Sequence, residues 1–230
     1  MLIILTGMEL CTSNMFIMPF TTLQRRTTVY EMVKNLVVSY VVNMMGCLFV
    51  AGFLAWWSDV LDTDTQTAYA VTQAEGRVNV GWSVNLLRGV GCNLFVALAF
   101  FMSLGSVEFV SKVYTIWIPI WTFVILGYQH SIANFFMVPI GMFYGSANFG
   151  VGKFIYNSVI PVTLGNIIGG ALLGSLIFWT LYGRDEPILP TSSKTGKRVE
   201  SEESNLGGSE PEPREMYPRR SSRRTEMDTV

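Results

Sequence analysis

One motif is written twice in this chain, 120 residues apart, and both copies lie inside long apolar stretches. Gly7, Asn14, Phe16 and Pro19 recur as Gly127, Asn134, Phe136 and Pro139, and Glu9 stands opposite Gln129. A second pair follows at an offset of 123: Asn43 and Gly46 against Asn166 and Gly169. Asn, Gly and Pro inside apolar runs interrupt helices and free backbone groups that lipid cannot satisfy. Duplicated helix breakers imply two related halves with a permeation site between them.

The charges mark the limits of the membrane body. More than half of the 16 Lys/Arg and 17 Asp/Glu fall in residues 183–230. Runs free of Asp, Glu, Lys and Arg span 10–24, 35–57, 89–107, 113–152 and 154–183. About 20 apolar residues make a helix long enough to cross a bilayer. The run 113–152 exceeds one straight crossing, so it must break or turn inside. These runs exclude a soluble globular core and predict an all-α polytopic membrane domain over 1–182. Repeat one, incomplete, occupies 1–57 and repeat two 83–182. Three helices per repeat is an odd number, so the repeats insert with opposite orientation.

An apolar helix over about 85–107 precedes Gly127, whereas six residues precede Gly7. The reading is that a first helix is missing from the front. Arg25, Arg26 and Lys34 place the loop 21–34 inside, and Asp59, Asp62, Asp64 and Glu75 place 58–84 outside. The tail, 183–230, is rich in Ser, Pro, Glu and Arg; it reads as disordered and cytoplasmic. The expected location is a multi-pass position in the plasma membrane, surrounded by lipid.

His130 is the only histidine and sits within the second helix breaker. An ionisable group at membrane depth is a functional candidate by default. Its N–H can donate to an anion that has shed its water. Where each broken helix restarts, free N–H groups gather. Thr12, Ser13 and Asn14 in one copy, and Ser131 and Asn134 in the other, are expected to cap those starts. Lys112 and Arg88 flank the second-half helices at opposite faces, either in a vestibule or snorkelling to the interface. Glu9 reads as a structural hydrogen-bonding group. Gly165, Gly169, Gly170 and Gly174 form small-residue ridges for close helix packing. Cys11, Cys47 and Cys92 read as packed thiols. No nucleotide loop, metal cluster or catalytic triad is present in the sequence; it points to no enzyme, no cofactor, no metal and no nucleic-acid partner.

Several spaced segments, in order, resemble the formate/nitrite transporter family: Glu9 to Asn14, Arg88 to Asn93, His130 to Asn134 with Pro139, and Pro161 to Asn166. The resemblance covers about 1–182. It implies inverted three-helix repeats with broken second and fifth helices, an aquaporin-like fold, and homopentamers with one pore per subunit. It implies small monovalent weak-acid anions as substrates, nitrite and formate among them, with a proton as partner. Carried onto this chain, His130 is the central pore histidine, Thr12 its partner, Asn93 a pore-lining neighbour and Lys112 the basic vestibule residue. Leu10, Cys11, Val96 and Phe123 take the apolar constrictions. Cys11 departs from the family's aromatic, and Gln129 from its acid. The tail is similar to those of fungal members, which leans toward nitrite. Two other readings are a neutral-solute channel of aquaporin type and a truncated subunit that does not transport.

Overall fold

The computed structural model describes residues 2–145 and 148–184, and they are helical throughout apart from turns and short connections. The elements are α1 (Leu2–Thr6), α2 (Cys11–Leu23), α3 (Val29–Trp56), α4 (Asp64–Val78), α5 (Trp82–Gly105), α6 (Phe109–Ile125), α7 (Ser131–Phe143) and α8 (Val151–Gly183). α3 finishes in π-helical geometry over Val50–Trp56, and α8 passes through it three times, including Ile168–Ser175. α3, α5 and α8 are each long and apolar enough to cross a membrane. α6 and α7 are shorter apolar helices, and α7, at 13 residues, is too short for a full crossing alone.

Both expected breaks are present. Gly7 and Gly127 take left-handed φ angles of 71° and 68°, which a residue with a Cβ adopts only at a cost. Each ends its helix in a tight turn: Met8 N–H donates to Ile3 C=O at 3.0 Å, and Tyr128 N–H to Phe123 C=O at 3.0 Å. The run 113–152 therefore breaks after α6 and ends its second piece at Phe143. The loop read across 58–84 holds a helix instead. Thr63 caps α4 by accepting from Gln66 N–H, and Ala70, Ala74 and Val78 bury one stripe at helical spacing.

With no water to expel between helices in lipid, close backbone approach and dispersion hold a membrane bundle together. The small residues of α8 serve that purpose. Gly165 and Gly169 lie against the backbone of Leu86 and Val90 in α5, and Gly89 faces Val162 and Gly165 in return. A Cβ on Gly89 would stand 2.7 Å from Val162 O, so the two helices could not approach as they do. α4 seats on α7 in the same way, with Ala70 and Ala74 filling the space that Gly141 leaves.

The halves are related by a pseudo-two-fold axis. Tyr40 and Thr163 occupy equivalent positions and bond to each other, Oη to Oγ1 at 2.7 Å. Residues that are each other's counterparts touch only where the axis passes between them. The halves differ in how well they are covered. Within Val29–Phe49 only Ser39 is buried, whereas α8 buries Pro161, Val162, Gly165, Asn166, Gly169 and Gly170 against its neighbours. The expectations for the tail beyond Arg184 fall outside the described residues.

Candidate functional site

The two breaks meet through one contact. His130 Nε2 lies 2.8 Å from Thr12 Oγ1, across 118 residues of sequence. His130 is also the N-cap of α7, with extended φ −108° and ψ 120°, and its Nδ1 accepts from Ala133 N–H at 3.1 Å. A backbone N–H can only donate, so Nδ1 carries no proton here. The imidazole is thereby neutral, its hydrogen is on Nε2, and Nε2–H donates to Thr12 Oγ1. The Thr12 hydroxyl keeps its own hydrogen free to donate elsewhere. Leu10 holds the equivalent position in repeat one, with φ −120° and ψ 120°, and has no side chain with which to cap α2.

The asparagines of the second repeat pair hold these two positions. Asn166 Oδ1 accepts from Ser131 N–H at 2.9 Å, while Nδ2 donates to Gln129 C=O at 3.1 Å and Gly89 C=O at 2.9 Å. It clamps the residues on both sides of His130. Asn43 treats Leu10 alike: Oδ1 accepts from Cys11 N–H at 2.8 Å and Nδ2 donates to Glu9 C=O at 3.1 Å. The sequence marks the Asn43/Asn166 pair as repeated, but the work of the two amides shows only in three dimensions.

Several sequence-based assignments change. Capping of the restarted helices falls to His130 and Asn166 at α7 and to Asn43 at α2, not to Thr12, Ser13, Asn14, Ser131 or Asn134. The hydroxyls of Ser13 and Ser131 are buried without a protein partner among the described residues. Asn14 Nδ2 bonds the Glu9 carboxylate and donates to Asn35 Oδ1 at 2.8 Å. Asn134 Nδ2 donates to Gln129 Oε1 and Ser158 Oγ, both at 3.0 Å. These pairs tie each break loop to its following helix. Asn93 is fully buried and outside the wall of the cavity that reaches His130: Nδ2 donates to Thr12 C=O at 3.1 Å and Asn166 C=O at 2.7 Å. It braces one break against the other.

The constriction residues divide. Phe123 stacks on the His130 ring, centroids 6.1 Å apart and planes within 10°, and lines the cavity beside it. Val96 is buried beneath Phe123 together with Cys92. Leu10 is half-buried at the break. Cys11 turns away into the core, its Sγ 3.4 Å from Leu36 C=O, packed with Met15, Ile132 and Phe135. A side chain that faces the core cannot set the width of a pore.

The cavity that reaches His130 measures about 530 Å³. Its wall carries Arg77, Arg88, Tyr128, Gln129 and Phe123. Lys112 is not among them. It lies in a separate hollow of about 230 Å³ with Leu5, Ser103, Phe109 and Ile116, toward the other end of α5 from Arg88. The basic residues facing the histidine are Arg88, singled out in the sequence, and Arg77, which was not. Arg77 Nη1 donates to Gln73 C=O at 2.8 Å and Gln73 Oε1 at 2.7 Å. Burial lowers its guanidinium from the usual value, yet an arginine stays cationic at any physiological pH. Asn85 donates to Arg77 C=O at 3.0 Å and Asn157 to Val78 C=O at 3.2 Å, so the last turn of α4 is pinned. The missed signal was the stripe Ala70, Ala74 and Val78, which turns the one basic residue of 58–84 inward beside Gln73. Among the described residues no cluster of His, Cys, Asp and Glu could hold a metal ion.

Comparison with known proteins bears on the family and the fold. The formate/nitrite transporter family profile matches residues 1–180. A probable formate transporter of Methanothermobacter thermautotrophicus is 37% identical over 196 residues, covering 79% of this chain and 71% of its own. The formate channel FocA of Escherichia coli K12 is 34% identical over 203 residues, covering 80% and 70%. Among solved structures, a pentameric formate channel with formate bound superposes with a TM-score of 0.68 at 26% identity, covering 79% of this chain and 78% of that one. An FNT family ion channel superposes with a TM-score of 0.72, also at 26% identity, covering 78% and 72%. The chain belongs to the formate/nitrite transporter family.

Proposed function

We propose that this chain conducts small monovalent weak-acid anions, formate or nitrite, across a membrane along a path that passes His130. The observation that carries this reading is the cavity that Arg77 and Arg88 share with the neutral His130, whose ring is held from behind by Thr12. Two fixed cations raise the local concentration of anions at its mouth. Beyond them Phe123, backed by the buried Val96, presents an apolar wall, where a bare anion pays a large desolvation cost. Desolvation raises the pKa of an acid, so the anion combines with a hydronium proton of the bathing solution, releasing water, as it leaves the arginines. It crosses as the neutral acid, with hydrogen bonds to the His130–Thr12 pair replacing lost water. The proton is thus carried with the anion, and His130 need not change charge. Homopentameric assembly, a plasma-membrane location and a cytoplasmic tail belong to the same reading, supported by the relatives and by the basic loop at Arg25 and Arg26.

The test is isotopic formate and nitrite flux into liposomes carrying the purified protein. His130→Phe keeps a planar ring but removes both nitrogens, and flux is expected to fall at least tenfold with assembly unchanged. Flux equal to wild type in that variant overturns the assignment.

A further inference from the structure

A second cavity continues the first along the seam between α4 and α7. The two helices run antiparallel there. Residues 72–77 of α4 face His130, Ala133 and Asn134 across the charged cavity. Residues 65–73 face Phe136, Met137 and Ile140 across a second cavity of about 440 Å³. Tyr69 and Gln73 line both, so the two are adjacent compartments of one trough. From His130 to Ile140 the trough follows ten residues of helix, about 15 Å at 1.5 Å per residue.

The compartments differ in character. The second is walled by Ala55, Val60, Leu61, Ala70, Phe136 and Ile140, and its polar groups come from α4: Thr65, Gln66 and Tyr69, which are exposed, and the half-buried Gln73. No charged residue lines it. The first holds Arg77 and Arg88. Arg77 spends Nη1 on Gln73, and neither arginine has a carboxylate partner among the described residues. A trough with an apolar end and an unneutralised cationic end is complementary to an amphipathic anion whose carboxylate and tail are separated by a similar length.

We propose that the α4/α7 seam binds medium-chain monocarboxylates such as octanoate, the carboxylate at Arg77 and Arg88 and the tail among Ala70, Phe136 and Ile140. The carboxylate end rests on the reading of the charged cavity as an anion vestibule. A bound octanoate fills the approach to His130 and cannot follow formate past Phe123, so it blocks the path. Each methylene taken into the apolar compartment tightens binding roughly fourfold, so potency climbs from butyrate to octanoate.

The experiment is equilibrium binding of radiolabelled octanoate to the full chain in lipid nanodiscs, with empty discs subtracted, alongside formate flux in liposomes. Thr65→Trp and Gln66→Trp place an indole in the apolar compartment from exposed positions, away from His130, Arg77 and Arg88. Saturable octanoate binding is expected, at least tenfold weaker in both tryptophan variants, with formate flux and its inhibition by acetate unchanged. Arg77→Ala is expected to weaken octanoate binding as well. Octanoate affinity unaltered by the tryptophans overturns the proposal, because the tail then lies elsewhere. No saturable binding above empty discs also overturns it, the seam then being covered by a second copy or by lipid. Octanoate binding with no formate flux leaves the seam site standing and refutes the transport reading instead.

Discussion

His130 is fixed from three directions: a backbone N–H at Nδ1, a hydroxyl at Nε2, and an amide that grips the peptide on either side. Each contact sets something different. The Ala133 N–H sets the tautomer, Thr12 receives the hydrogen, and Asn166 sets the ring's position in the bundle. Thr12→Val keeps shape but leaves Nε2–H without its acceptor. Thr12→Ser keeps the hydroxyl. Formate flux is expected to fall about tenfold in the first, a loss of one charge-free hydrogen bond at a buried site, and to stay within about twofold in the second. Equal flux in the two would show that the hydroxyl does not matter. Asn166→Ala strips partners from Ser131 N–H, Gln129 C=O and Gly89 C=O together, each buried. Unsatisfied groups of this kind cost on the order of 1–3 kcal/mol apiece. The variant is expected to lower the thermal midpoint in detergent and abolish flux. Asn43→Ala, which strips only Cys11 N–H and Glu9 C=O beside a leucine, is expected to cost less in flux than in stability. At this scale the sequence is legible where chemistry is rare. A lone histidine in an apolar run announces itself, as does its repeat. Asn93 reads as pore lining and Asn166 as a repeated helix breaker because spacing does not reveal which way an amide turns. Cys11 sits one residue from Leu10, yet a 100° rotation along the helix sends it to the core.

Among the elements, α4 has the largest consequence for the site and the faintest sequence signal. Its residues are polar on most sides, so it reads as a loop between crossings. Its buried stripe is short, and three alanine or valine side chains carry it. That stripe fits only because Gly141 lets α4 settle on α7. Arg77 then arrives in the cavity by geometry, one turn beyond Gln73 and with Asn85 and Asn157 holding the helix end. Gly141→Val tests this chain of dependence. A Cβ there would stand 2.8 Å from Ala70 O and collide with the Ala74 side chain, so α4 must shift. Overpacking of this kind costs typically 1–3 kcal/mol. The expected result is faster limited proteolysis between residues 58 and 82, and formate flux reduced to the level of Arg77→Ala. A Gly141→Val variant with wild-type proteolysis and flux would show that α4 does not depend on that seat. The long apolar helices were legible for the opposite reason. Length and lack of charge are properties of a single segment, whereas the seat of α4 depends on a glycine more than sixty residues away.

Taken as a whole, the molecule is two copies of one plan that differ at the centre, most of all at the residue before each restarted helix. Repeat two offers His130 where repeat one offers Leu10, each gripped by its own asparagine, and Tyr40 meets Thr163 on the axis between them. The pathway therefore has one polar station flanked by apolar side chains, not two stations in series. A single neutral station with arginines on one approach fits a cargo that is charged in the vestibule and neutral in the middle. The sign of the pH dependence follows. Above its pKa, a weak acid's neutral fraction rises about tenfold for each unit the pH falls. The arginines hold their charge over that range, so the anion concentration they gather does not change. Initial formate uptake at fixed total formate is expected to climb as external pH drops from about 7.5 to 5.5, more steeply than any change in membrane potential alone would produce. An inward proton gradient is expected to drive formate above its equilibrium level, and a protonophore to cancel the excess. His130→Phe liposomes are expected to lose the flux without shifting the midpoint of whatever pH response remains, because the titrating group is the cargo. A midpoint that moves with the residue at 130 would place the proton on the imidazole and refute the neutral-station account.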